Sequence, residues 1–118
     1  MTGTVQNNII TVRQGDSFAL NLEIKDGCKP VDLTGATITM QVRDTVAGNI
    51  LFGIEATPVD ALNGKAVLLI TPSETSNSVG DYVTDIQMTG ADGSVNTIFP
   101  ADVNKIGVFR ITAQVTEV

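Results

Sequence analysis

The side chains able to do chemistry in this 118-residue chain are 13 carboxylates and one cysteine, Cys28, with no histidine anywhere. Histidine is the commonest general base and zinc ligand near neutral pH, so its absence excludes histidine-based triads, and a lone cysteine excludes a cysteine-rich metal site. Asp81 and Asp85 stand at i and i+4, which places them on one face of a strand, whereas Asp26, Asp92 and Asp102 fall in turn sequences. Calcium needs several oxygens converging on one loop, and no D-x-D-x-D pattern occurs. Forming turns and holding water are the roles these carboxylates fit. Asp16, following Gly15, suits a bond to neighbouring backbone at the start of a strand. A phosphate loop is excluded too: the Gly64-Lys65 pair has Val59 where the first glycine belongs, and a strand pattern follows it where a helix is required. Around Cys28 only Lys25 and Lys29 are near enough in sequence to lower a thiol pKa, a weak case for reactivity. The expectation is a non-enzyme with no catalytic, cofactor or metal site.

The elements that carry these residues read as strands. Phe18, Leu20, Leu22 and Ile24 alternate with Ser17, Ala19, Asn21, Glu23 and Lys25, and Ala36, Ile38, Met40 and Val42 alternate with Thr37, Thr39, Gln41 and Arg43. That period of two marks half-buried strands and names their core faces. Between them Asp26-Gly27, Lys29-Pro30 and Asp32-Leu33-Thr34-Gly35 supply turn chemistry. Further strands are expected over Ile9 to Arg13, Asn49 to Glu55, Tyr82 to Met88, Val95 to Phe99 and Gly107 to Val115, the last placing Phe109, Ile111, Ala113 and Val115 inward. Lys65 to Thr71 is apolar on both faces, which predicts a central strand. Asn63-Gly64 suits a type I′ hairpin and Ala91-Asp92-Gly93 a second hairpin, with positive φ expected at Gly64. Pro72 to Ser78 is the one helical segment: Thr71 can cap it, Pro72 suits its first position and Glu74 its positive end.

Length fits one domain, residues 1–118, with a core that needs no metal or disulfide. A net charge of −6 repels phosphate backbones and anionic lipid surfaces, which argues against nucleic-acid and membrane partners. One cysteine makes no internal disulfide, so folding in cytoplasm is the expectation, and MTGTVQNNII shows neither a basic nor an apolar leader region.

Seven or eight short strands, regular turns and one short helical turn predict an all-β, immunoglobulin-like antiparallel β-sandwich whose core includes Phe18, Leu20, Leu22, Ile24, Ile38, Met40, Val42, Leu68, Ile70, Tyr82, Ile86, Phe109 and Ile111. In Ser78-Val79-Gly80-Asp81-Tyr82 a helical turn leads into a strand, the context of a tyrosine corner; the plainer reading is that Tyr82 fills core volume with its hydroxyl at the rim. No tryptophan and no cysteine pair are present, unlike an antibody domain.

The series Gln14-Gly15-Asp16-Ser17-Phe18, Asp26-Gly27 and Pro30-Val31-Asp32-Leu33-Thr34-Gly35-Ala36-Thr37 resembles the N-terminal domain of phage baseplate upper proteins and related tail-fibre modules. Pro72-Ser73-Glu74-Thr75, Gly80-Asp81-Tyr82, Thr97-Ile98 and Gly107-Val108-Phe109 follow in the order of that family, so the resemblance spans nearly the whole chain. It implies a non-enzymatic structural or assembly module of a phage or prophage tail tip, located in the virion after assembly in bacterial cytoplasm, with other tail proteins and its own copies as partners. Family members continue past this domain where the present sequence stops at Val118, leaving open a small virion protein or one domain of a longer one. The alternative is an accessory domain binding carbohydrate or another host-surface ligand, for which 4% aromatic residues make a stacking platform hard to build. For docking, Ile50, Leu51, Phe52 and Ile54 are the candidate interface, because they are apolar in a segment expected at a sheet edge, as is Ile9 to Arg13; the competing reading is that they cover the core.

Overall fold

Alternating aliphatic residues build most of the chain into short strands. The computed structural model describes residues 4–6, 8–46, 48–100 and 105–113. In chain order these form β1 (Thr4–Gln6), β2 (Ile9–Arg13), β3 (Phe18–Glu23), β4 (Lys25–Asp26), β5 (Lys29–Pro30), β6 (Thr37–Arg43), β7 (Ile50–Glu55), β8 (Thr57–Asp60), a 3-10 turn (Ala61–Asn63), β9 (Lys65–Ile70), helix α1 (Pro72–Thr75), β10 (Gly80–Thr89), β11 (Val95–Phe99) and β12 (Gly107–Thr112). Twelve strands exceed the seven or eight expected. The additions are short or polar: β1, the two-residue pair β4 and β5, and β8.

The larger sheet runs β1-β2-β12-β10-β6-β7, with β11 paired to the far half of β10, and the smaller runs β3-β9-β8. The chain crosses between sheets after β2, before β6, after β7 and after β9, so sequence neighbours are divided between two layers. In the lettering of variable-type immunoglobulin sandwiches, β3, β9 and β8 take positions B, E and D, and β12, β10, β6 and β7 take G, F, C and C′. The fold is an immunoglobulin-like β-sandwich. One pairing departs from the antiparallel expectation: β2 lies parallel to β12, from Ile9 beside Val108 to Arg13 beside Thr112. That pairing also corrects the placing of Ile9 to Arg13 at an edge, since β1 covers its other side.

The core lies between the sheets. Ile10, Val12, Ile38, Met40, Val42, Ile86, Phe109 and Ile111 face it from the larger sheet and Phe18, Ala66, Leu68 and Ile70 from the smaller. Leu20, Leu22, Ile24 and Tyr82, expected in this set, are half-buried against it. For Leu20 and Leu22 the reason is that β3 is an outer strand of the smaller sheet, with a neighbouring strand on one side only. Strand β9 is central, as expected, yet its outer face is open: Leu69 is 56% exposed while Leu68 and Ile70 are buried. Leu33, read as part of a bend, is only 2% exposed and joins the core. Ala113, expected inward, is exposed, and Val115 lies outside the described residues.

The connection from β8 to β9 corrects the type I′ turn. Asn63 ends a 3-10 turn, its side-chain amide donating to Asp60 Oδ2 at 2.8 Å, and Gly64 alone takes the left-handed conformation, with φ 72°. Helix α1 ends sooner than the predicted Ser78. At its start the Thr71 amide donates to Glu74 Oε1 at 3.1 Å, and buried Thr75 donates from Oγ1 to the Asp16 carbonyl at 2.6 Å, fastening the β2–β3 bend. The bends at Asp92 and Asp32 form as expected, each carboxylate accepting from a backbone amide two residues on, Ser94 and Thr34.

Tyr82 forms the tyrosine corner: its hydroxyl donates to the Ser78 carbonyl at 2.5 Å while its ring packs on the core. Tyr82→Phe keeps the ring and removes the bond, so chemical denaturation is expected to show a loss of about 1 kcal/mol with unchanged m-value.

Candidate functional site

The alternation that buries Met40 and Val42 turns Thr39, Gln41 and Arg43 outward, and on β10 it turns Asp81, Val83, Asp85, Gln87 and Thr89 the same way. Register lines these side chains up in rows across the outer face of the larger sheet. Arg43 lies opposite Val83, Gln41 opposite Asp85, and Thr39 opposite Gln87, which on its other side faces Thr97 of β11. Pro100, Lys105, Ile106 and Val46 also line this face, and with the rows they enclose a trough of about 750 Å³.

Hydrogen bonds set the floor of the trough. The Arg43 guanidinium donates through Nη1 to the Gly48 carbonyl at 3.0 Å and through Nη2 to Gln41 Oε1 at 3.2 Å. The Gln87 amide donates to Asp85 Oδ2 at 3.5 Å. Thr84 points the other way, buried, and donates to the Gln41 carbonyl at 2.7 Å, which ties the two floor strands together. Gly53 on β7 sits opposite Gln41 and adds no side chain to that end. Among the described residues the ion pairs are Lys25 with Glu23 and Arg110 with Asp81, and Arg43 and Lys105 have no carboxylate partner within that set.

Asp81 and Asp85 share this face, as expected, but do different things. Arg110 lies directly across from Asp81 and grips it with two bonds, Nε to Oδ1 at 2.8 Å and Nη2 to Oδ2 at 3.2 Å. That guanidinium holds the Asp81 carboxyl below its ordinary range, and the carboxylate in turn raises the Arg110 pKa. A carboxyl whose pKa is lowered by folding stabilises above its unfolded pKa and loses that contribution as pH falls through the folded value. Both partners are about half exposed, so the effect is small. The stability difference between the parent and Asp81→Asn is expected to shrink on acidification from neutral to below about pH 4; a denaturation series across that interval checks it.

The four interface candidates divide. β7 is an outer strand of the larger sheet, at the end opposite β1, and is paired with β6 alone. Leu51, Phe52 and Ile54 pack on the core, with the Phe52 ring edge-on to Phe109 at 5.6 Å and 80°, while Ile50 is 51% exposed. Cys28 is exposed in the bend between β4 and β5. Among the described residues no three His, Cys, Asp or Glu side chains are grouped to hold a metal ion, and no helix is long and apolar enough to cross a membrane. Asp102 lies outside the described residues. Sequence reasoning missed the trough, since its rows depend on which strands are neighbours; the signal present was the run of polar residues at odd positions in both β6 and β10.

No protein-family model matches the chain, and no curated protein matches it. Among solved structures it is similar in shape to murine CRIg, at 9% identity and a TM-score of 0.41, over 96% of this chain and 97% of that one. At that distance the functional reading comes from the chain's own geometry.

Proposed function

We propose that this chain is a non-enzymatic assembly module of a phage or prophage tail tip that docks, to copies of itself or to other tail proteins, through the edge of its larger sheet. The observation that carries the docking reading is β7. An outer strand leaves one row of backbone donors and acceptors unpaired, and soluble proteins ordinarily guard such a row with lysine, proline or bulges. β8, one of the two outer strands of the smaller sheet, is guarded by Pro58 and a register shift before Asp60. β7 has neither lysine nor proline, carries exposed Ile50, and its register shift is confined to its first turn of pairing, leaving Phe52 to Glu55 regular. The phage assignment rests on the sequence resemblance, and virion parts are generally built by symmetric repetition.

Ile50→Lys tests the edge better than a change at Phe52, because Ile50 projects to solvent whereas Phe52 supports Phe109. Sedimentation of the purified chain over a wide concentration range is expected to show self-association in the parent and a shift toward monomer in Ile50→Lys, with both proteins equally folded. A parent that stays monomeric and captures no tail protein removes the edge from the proposal. Flanking genes that encode no virion proteins remove the phage assignment.

A further inference from the structure

We propose that the trough on the outer face of the larger sheet binds a short acidic saccharide, a hydroxyl-rich ligand carrying a carboxylate, held by hydrogen bonds and charge without aromatic stacking. Its volume of about 750 Å³ falls within the size of small-molecule sites. The floor is a grid of side-chain amides and hydroxyls from Gln41, Gln87, Thr39 and Thr97, groups that both donate and accept at roughly strand spacing. Such a grid matches the ring hydroxyls of a saccharide, which likewise do both.

Charge selects the acidic class. The chain as a whole carries −6, yet among the described residues lining the trough Arg43 and Lys105 stand against one carboxylate, Asp85, and neither cation is in an ion pair with another described residue. A local excess of positive charge on an acidic protein favours an anionic ligand there. Asp85 decides between anions: it repels a densely charged chain such as an acidic peptide, while accepting hydrogen bonds from hydroxyls. Val83, Pro100 and Ile106 add aliphatic surface for the C–H faces of the sugar rings. The inference is independent of the β7 edge and of the phage assignment, and its readout is not oligomeric state.

The test is titration of the isotope-labelled full chain with trigalacturonate, maltotriose and pentaglutamate, followed by amide chemical shifts. Trigalacturonate is expected to shift amides of β6, β10 and β11 saturably, with maltotriose much weaker and pentaglutamate without effect on those strands. Lys105→Gln, at an exposed position, should weaken trigalacturonate by about two- to fivefold, the scale of one exposed charge pair. Lys65→Gln, on the other sheet, should leave affinity unchanged and so separates the trough from general charge. The proposal is overturned if trigalacturonate gives no saturable shift, if the shifts map elsewhere, if pentaglutamate binds these strands as tightly, or if the two lysine variants weaken binding equally.

Discussion

Phe109→Ala is expected to destabilise the protein by about 3–5 kcal/mol, a large share of the roughly 5–15 kcal/mol that holds a domain together. Phe109 is fully buried on β12 at the middle of the larger sheet, between β2 and β10. It is one of only 4 phenylalanines in a chain without tryptophan, so few other side chains have the volume to fill the space it would leave. The change also strips Phe52 of its edge-to-face partner, a contact worth about 0.5–1.5 kcal/mol beyond area burial. Thermal unfolding should fall by more than about 10 °C. Phe109→Leu, which keeps much of the volume, should recover part of the loss. A double-mutant cycle with Phe52→Ala should be non-additive, because the two rings share one contact. A Phe109→Ala protein melting within a degree or two of the parent would mean that β12 does not face the core in this register.

Gly64→Ala is the second large effect, expected at about 2–3 kcal/mol, and it has two separable causes. Gly64 sits at φ +72°, which disfavours any side chain, and a Cβ there would come within 2.4 Å of the Ile24 carbonyl oxygen and 2.9 Å of the Val31 carbonyl oxygen. Those atoms are backbone and cannot swing aside. The approach is built in, since the Ile24 amide donates to the Gly64 carbonyl at 2.8 Å and the Val31 amide to the Ile24 carbonyl at 3.0 Å. Gly27 provides the control: it has φ +65° but nothing within 4 Å of an added Cβ. Gly27→Ala should therefore lose about 1 kcal/mol from conformation alone. The difference between the two variants, read from denaturant midpoints, measures the close approach; equal losses would show that only φ matters.

The alternation in β3 and β6 was legible because a period of two needs no knowledge of the partner strand. The tyrosine corner was legible for a similar reason, since Ser78 and Tyr82 are local and the helical turn before them announces itself through Pro72 and Glu74. What stayed hidden depends on distant partners. β8 contains Pro58 and Asp60, poor strand residues, and becomes a strand because β9 lies beside it. The parallel pairing of β2 with β12 joins residues about a hundred positions apart, for which no local signal exists. Asn63-Gly64 misled in an instructive way: a glycine with positive φ ends both a type I′ turn and a 3-10 turn, so the dipeptide marks the bend without choosing its form. The trough was hidden for the same reason as the pairing, because polar residues at odd positions in β6 and β10 become rows only once the register is known.

The parallel pairing of β2 and β12 also fixes how the molecule responds to a pull. Tension applied upstream of β2 and downstream of β12 acts at opposite ends of the shared ladder, so its hydrogen bonds are drawn along the strand direction and must yield together. The antiparallel β1–β2 pair, loaded from one end, instead opens one rung at a time, so it gives way first and takes up slack. Drawn through both ends, the sandwich would extend slightly at low force and then hold, behaving as a stiff link with a short compliant leader.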